Sequence, residues 1–181
     1  MVFQSGHRRG NVWEDVQTLD KIIKNTRFNL TGKSEREFEL AFMSAVAANK
    51  DRIKGDIHSQ VDKDTTVRSV YLFGKKHRPD LTINEDGIAV EIKFLSNSLD
   101  GLKQAIGQSI FYRVRYRFVI NLFVIDDKYK DTYLKGANDE EKDLEEICKD
   151  LSNDMNIFSY LVPAFNPGSN VKSLLQWNDI G

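Results

Sequence analysis

The stretch from Arg78 to Lys93 reads RPDLTINEDGIAVEIK, and it decides how the rest of the chain is interpreted. Apolar residues alternate with polar or small ones on both sides of Asn84–Gly87, a pattern typical of two antiparallel strands joined in a hairpin. If this turn closes the hairpin, Ile83 faces Ile88 and Asp80 lies opposite Glu91. The stretch therefore predicts a hairpin with two acids side by side.

Side chains alternate between the faces of a strand, so one face of this hairpin is polar and the other apolar. We expect Asp80 and Glu91 on the polar face, with backbones about 5 Å apart. Two such carboxylates repel unless a cation lies between them, and hard oxygen ligands suit Mg²⁺ or Mn²⁺. Lys93 reaches the same place. A metal ion and a lysine together would activate a water molecule and stabilise the charge that builds on a phosphodiester.

Arg78-Pro79-Asp80, ten intervening residues and then Glu91-Ile92-Lys93 resemble the signature of the PD-(D/E)XK nuclease superfamily. The resemblance covers roughly residues 34 to 126. It implies a restriction-endonuclease-like αβββαβ core and a divalent-metal-dependent nuclease, with Asp80 and Glu91 as metal ligands and Lys93 as a catalytic residue.

In that superfamily a helix before the hairpin commonly supplies a further glutamate to the metal, and here the helix offers three candidates. Glu39 adjoins the apolar stripe of the helix, and the Phe38-Glu39 pair looks like versions in restriction-type members. Glu35 begins a Glu-Arg-Glu string similar to archaeal Holliday-junction resolvases. Glu37 fits better in a capping box with Ser34. We favour Glu39 as the third ligand and keep Glu35 as the alternative.

After the hairpin, a helical segment places Gln104, Gln108 and Tyr112 four residues apart, along one helix face. Gln108-x-x-x-Tyr112 is similar to an element of RecB-type nucleases, whose residues contact the metal site or the nucleic-acid backbone. We therefore expect Gln108 to assist catalysis and Tyr112 to contact nucleic acid.

The formal net charge of -1 conceals an uneven distribution, because the middle of the chain is basic and the segment from Asp126 to Asp154 is acidic. A basic centre suits a polyanion such as DNA. Lys75 and Lys76, with His77 and Arg78, are expected to form a loop before Asp80. The predicted nucleic-acid contacts are Lys75, Lys76, Arg78, Lys103, Tyr112, Arg113 and Arg115.

Outside the hairpin, hydrophobic periodicity predicts alternating helices and strands. Helices are expected at Asn11–Asn25, Thr31–Asn49, Leu99–Arg113 and Glu140–Leu151, and strands at Thr66–Phe73, Arg117–Ile125 and Ile157–Val162. The prediction is a single α/β domain over residues 1–181, with a central mixed β-sheet flanked by helices and a catalytic core at 34–126.

Composition narrows the class of protein further. The chain has 181 residues with 40% hydrophobic and 29% charged residues, which predicts a folded domain. The single cysteine, Cys148, excludes a disulfide within the chain and a cysteine-clustered metal site. Apolar runs are far shorter than the roughly 20 residues of a membrane span, and no secretory signal is evident. We expect no membrane association and a cytoplasmic location.

The sequence thus predicts a metal-dependent endodeoxyribonuclease that uses Mg²⁺ or Mn²⁺ and acts on DNA. The small chain leaves little room for a target-recognition domain, which favours a structure-selective enzyme resembling a junction resolvase. A homodimer is expected, because cutting two strands calls for two sites. A sequence-specific restriction-type endonuclease and a non-catalytic nucleic-acid-binding protein with the same fold are the alternatives.

Overall fold

A computed structural model describes residues 8–30, 32–62, 66–96, 100–133, 139–165 and 170–174. The described strands are β1 (Ile57–Ser59), β2 (Val70–Leu72), β3 (Lys75–His77), β4 (Leu81–Ile83), β5 (Ile88–Phe94), β6 (Phe118–Ile125), β7 (Ile157–Pro163) and β8 (Lys172–Ser173). The helices are α1 (Asn11–Asn25), α2 (Glu35–Ala47), α3 (Asp100–Tyr112), the short α4 (Lys130–Tyr133) and α5 (Asp139–Met155). Together they form one α/β domain, as the sequence predicts.

Six strands form a mixed sheet in the order β1-β4-β5-β6-β7-β8. β4 and β5 are antiparallel, whereas β5, β6 and β7 run parallel to one another. The predicted hairpin register is confirmed, since Ile83 pairs with Ile88 and Leu81 pairs with Val90. Gly87 is required in the turn, because a Cβ there would lie 2.5 Å from the carbonyl oxygen of Ile83.

Helices cover both faces of the sheet. α1 and α2 bury Leu19, Phe38 and Phe42 in the main apolar core against one face. α3 and α5 pack on the other face, in two smaller apolar clusters. Every residue of β6 is buried, which agrees with its nearly continuous apolar sequence.

The predicted capping box begins α2. Ser34 accepts a hydrogen bond from the backbone N–H of Glu37, whose carboxylate accepts one from the backbone N–H of Ser34. This reciprocal pair fixes where the helix starts. As a result Glu35, the first residue of α2, lies beside the end of β5, where its carboxylate accepts a hydrogen bond from the backbone N–H of Phe94.

Two local expectations are wrong. The strand expected at Thr66–Phe73 is reduced to β2, which pairs with β3 in a separate two-stranded ribbon. Lys75–His77 therefore forms a strand instead of a loop, because the Phe73-Gly74 turn folds it back onto β2.

The strand at the sheet edge, β1, was not predicted, since three residues carry no readable periodicity and the pairing with β4 is long-range. Thr31 and Leu99, the expected first residues of two helices, lie outside the described residues. Within the described ranges, no helix combines the length and apolar character that crossing a membrane requires.

Candidate active site

The candidate site lies where β5 extends beyond its partner β4. The pairing of the two strands ends at Leu81 and Val90, but β5 continues to Phe94. Two backbone N–H groups of β5 are therefore left without a β4 carbonyl. Carboxylates replace it: Ile92 donates to Oδ2 of Asp80 at 2.7 Å, and Phe94 donates to Oε2 of Glu35 at 3.1 Å. The end of β5 that extends past β4 thus fixes two acids, and its own backbone donors are satisfied.

Gln60, which follows β1, bonds the backbone on the approach to Asp80. The Gln60 side-chain amide donates to the carbonyl oxygens of Arg78 and Pro79, at 2.9 and 2.8 Å. The backbone N–H of Gln60 donates to the carbonyl oxygen of Asp80 at 2.9 Å. Arg78 in turn donates to the Gln60 carbonyl oxygen at 2.8 Å. These bonds fix the path of the chain as it enters β4.

Glu91 follows Val90, the β5 residue that pairs with Leu81, and is only 6% exposed. Its Oε2 accepts a hydrogen bond of 2.9 Å from the hydroxyl of Tyr112 on α3. Burial raises the pKa of Glu91, and the negative charge of Asp80 raises it further, while the Tyr112 hydroxyl opposes the shift. Burial and the Glu91 charge likewise raise the pKa of Tyr112, so its hydroxyl stays protonated and donating.

The pKa of Asp80 is raised as well. Burial raises its pKa, the hydrogen bond from Ile92 opposes this, and the charges of Glu39 and Glu35 add to the rise. Burial followed by the charge of Glu35 also raises the pKa of Glu39. The predicted third ligand and its alternative therefore both act electrostatically on Asp80.

Lys93 adjoins this acidic cluster. Its side chain is 25% exposed, and its Nζ lies 3.5 Å from Oε1 of Glu35. The positive charge lowers the pKa of Asp80, Glu91 and Glu39, yet the pKa of each remains raised. Lys93 alone therefore does not offset the cost of ionising these partly buried carboxyls, and a further cation would favour their charged forms.

A divalent cation suits these residues chemically. Protein donors hold Oδ2 of Asp80 and Oε2 of Glu91, while Oδ1 of Asp80 has a long contact of 3.5 Å from the Gln60 side-chain amide. Oδ1 of Asp80 and Oε1 of Glu91 are the oxygens that would serve as hard ligands. On α3, the buried Oε1 of Gln108 lacks a hydrogen-bond partner among the described residues. As the side chains stand, no three histidine, cysteine, aspartate or glutamate residues in the described ranges form a ready metal cage. Binding would thus require side-chain adjustment.

A buried polar row runs from Glu91 across the sheet. The strand register aligns Glu91 with Asn121 on β6 and Ser159 on β7. Ser109 of α3 donates to Oδ1 of Asn121 at 2.5 Å, and the Asn121 amide contacts Ser159 at 3.4 Å. The row lies on the face that α3 covers, and it fixes α3 above the sheet through polar contacts.

The predicted nucleic-acid contacts separate into two groups. Lys75, Lys76, Arg78 and Lys103 are exposed, and Arg115 is half-buried. Tyr112 and Arg113 are buried, which contradicts a role for them on the nucleic-acid surface. Tyr112 is directed to Glu91, whereas the Arg113 guanidinium donates to the backbone carbonyls of Met155 and Tyr116.

Sequence reasoning missed the roles of Gln60 and Asn121. Gln60 acts through backbone groups eighteen or more residues away. Asn121 did leave a signal, as the polar residue inside the apolar run FVINLFVI.

Comparisons of the chain with protein-family models, with curated proteins and with solved structures find no match. Its function has to be inferred from the chemistry of these residues.

Proposed function

We propose that the protein is a divalent-metal-dependent nuclease that hydrolyses phosphodiester bonds of DNA, built on a restriction-endonuclease-like core. The observation that carries the proposal is the hairpin register, in which Asp80 adjoins Glu91 and Lys93 follows two residues later. The raised pKa values of the two acids support it: burial disfavours both charges, the charge of Asp80 adds to the rise at Glu91, and a bound cation would offset both effects.

In this proposal Asp80 and Glu91 hold Mg²⁺ or Mn²⁺, with Glu39 and Gln108 as further oxygen ligands. Such an ion lowers the pKa of a bound water and neutralises charge on the phosphate. The protein's part is to fix the ligands. The N–H of Ile92 orients Asp80, and the hydroxyl of Tyr112 orients Glu91.

Lys93 orients the attacking water or stabilises the developing negative charge. In the reaction a bond forms between the water oxygen and phosphorus, and the bond from phosphorus to the leaving oxygen breaks. The attacking water gives up a proton to solvent and the leaving oxygen takes one up, so the protons balance. Glu35 keeps the Lys93 ammonium beside the acids through their 3.5 Å contact, so that the lysine is already in place when the phosphate arrives.

The exposed basic residues supply affinity for the phosphate backbone without reading bases. Lys75, Lys76 and Arg78 lie just before Asp80 in the chain, and Lys103 lies on α3. We propose that the protein acts as a homodimer, because cutting both strands of a branched duplex needs two sites.

The proposal is tested by cleavage of labelled four-way junction, fork, duplex and single-stranded DNA in Mg²⁺, Mn²⁺ or EDTA. Cleavage should require the metal and fall about 100-fold or more in Asp80→Asn and Lys93→Ala. Asp51→Asn is the matched control: Asp51 is exposed just beyond the far end of α2, about 20 Å along the helix from Glu35.

Metal-dependent cleavage that survives in Lys93→Ala would contradict the assigned role of the lysine. If the wild type binds these DNAs but cleaves none of them in either metal, the chain is a non-catalytic nucleic-acid-binding protein instead.

A further inference from the structure

The ribbon of β2 and β3 ends in an exposed aromatic residue. Its two-residue turn is Phe73-Gly74, with φ of 49° and 73°. Two successive positive φ values are typical of a tight hairpin turn that favours Asn or Gly at the first position. Phenylalanine is a poor choice there, because its Cβ crowds the backbone in this conformation. The fold gains nothing in return, since Phe73 is 99% exposed.

The ribbon itself is anchored at its base. Val70 is buried in a cluster with Tyr112 and Tyr116, and the His77 ring lies 5.2 Å from the Phe111 ring of α3. The Tyr116 hydroxyl donates to the carbonyl oxygen of Arg68 at 2.6 Å. A packed stem therefore holds an exposed ring at its tip.

The surroundings of the tip are basic and aromatic. Tyr71 is 68% exposed and pairs across the ribbon with Lys76, while Lys75 directly follows the turn. The segment from Val70 to His77 reads VYLFGKKH and contains no acid. Exposed aromatic rings among lysines suit a polyanion with accessible bases, because the rings stack on bases and the lysines contact phosphates.

The tip is also within reach of the candidate active site. Phe73 precedes Asp80 by seven residues, so the two lie at most about 25 Å apart. One turn of duplex DNA is about 34 Å long. One turn of nucleic acid is therefore long enough to span the distance between the tip and the acids.

We propose that Phe73 is a wedge that stacks on unpaired bases, with Lys75 and Lys76 on the adjoining phosphates, so that the ribbon selects branched or single-stranded regions over continuous duplex. The choice of DNA as ligand rests on the proposed function. The stacking itself needs no metal and no cleavage, and so it is tested separately.

The test measures equilibrium binding in EDTA to three DNAs that differ in how their bases are paired: a duplex, the same duplex with an unpaired 2-aminopurine at a fork, and the single strand. Wild type should prefer the two DNAs with unpaired bases and quench the 2-aminopurine fluorescence. Phe73→Ala should reduce that preference about tenfold and lose the quenching, whereas Phe73→Trp should keep both. Ile147→Ala removes an exposed apolar side chain from α5 and serves as the control.

Phe73→Asn separates binding from folding. Asparagine tolerates the turn geometry, so this variant should melt roughly 2–4 °C higher than wild type while losing the preference for unpaired bases. Equal binding of Phe73→Ala and wild type to all three DNAs would overturn the wedge, whether or not the protein cleaves DNA. Phe73-dependent binding to anionic lipid vesicles without any preference among the DNAs would overturn it as well.

Discussion

The hydroxyl of Tyr112 on α3 donates a 2.9 Å hydrogen bond to the buried carboxylate of Glu91 on β5. This contact makes the tyrosine a positioning residue for a candidate metal ligand. The same helix makes a second polar contact with the sheet. Ser109 of α3 donates to Asn121, which is aligned with Glu91 in the strand register.

Tyr112→Phe should weaken binding of Mg²⁺ and shift the pH dependence of cleavage to higher pH. The hydroxyl favours the ionised form of Glu91, so its loss raises the pKa of that carboxyl further. We expect the fold to lose about 1–3 kcal/mol, because the buried Glu91 carboxyl loses its hydrogen-bond donor. Rate against pH at saturating Mg²⁺ measures the effect. An unchanged profile would mean that Tyr112 does not set the charge of Glu91.

Without metal, the protein should become less stable as the pH rises. The folded-state pKa values of Asp80 and Glu91 lie above their ordinary values, mainly because the acids are buried. Protonated carboxyls therefore stabilise the fold fully below about pH 4, and this contribution is lost as the pH rises through the raised values. Thermal melts in EDTA from pH 4 to 9 measure this slope.

Asp80→Asn is the control for that slope. Asparagine keeps an acceptor for Ile92 but carries no charge, so in EDTA at pH 8 this variant should be roughly 1–3 kcal/mol more stable than wild type. Addition of Mg²⁺ should stabilise the wild type and leave the variant nearly unchanged. A variant that is less stable at pH 8 in EDTA would show that Asp80 is not destabilised by burial.

Glu39→Gln and Glu35→Gln should have different effects. Glu35 accepts from Phe94 and contacts Lys93, whereas Glu39 exerts the larger charge effect on Asp80. We expect Glu39→Gln to lower the affinity for Mn²⁺ about tenfold, and Glu35→Gln to lower the cleavage rate mainly by displacing Lys93. Calorimetry with Mn²⁺ and single-turnover cleavage separate the two. The opposite pattern would assign the third ligand to Glu35.

Ser109→Ala should destabilise the fold by about 1–3 kcal/mol, because Oδ1 of the buried Asn121 loses its donor. Ser44→Ala is the matched control. The Ser109 and Ser44 hydroxyls each contact the carbonyl oxygen one turn earlier in their helix, at Ala105 and Leu40. Ser44 is exposed, so its loss should change stability by less than about 0.5 kcal/mol. Urea unfolding of both variants makes the comparison, and equal losses would show that the polar row adds no stability.

Local pattern was enough to predict the hairpin and its register. Alternating apolar residues on both sides of Asn84–Gly87 specify which side chains face the core, so Asp80 and Glu91 follow without any knowledge of the rest of the fold. The same holds for the capping box at Ser34 and for the buried strand β6. In each case the residues that determine the structure are neighbours in sequence.

The remaining features depend on contacts between distant residues. Gln60, just after β1, fixes the chain at Asp80, and Tyr112 is buried because α3 packs on the face of the sheet that carries Glu91. Helical spacing places Gln108 and Tyr112 on one side of α3, but it does not reveal which of them is buried against the sheet. The Arg113 guanidinium likewise bonds the carbonyl of Met155, 42 residues further along the chain, which the sequence pattern does not bring near it.

The most direct measurement is calorimetric titration of Mn²⁺ into the wild type, Asp80→Asn, Glu91→Gln and the double variant. If one ion is shared between the two acids, each single change should weaken binding at least about tenfold, and the double change should weaken it by less than the product of the two. Wild-type affinity in either single variant would contradict a shared ion, and with it the nuclease proposal.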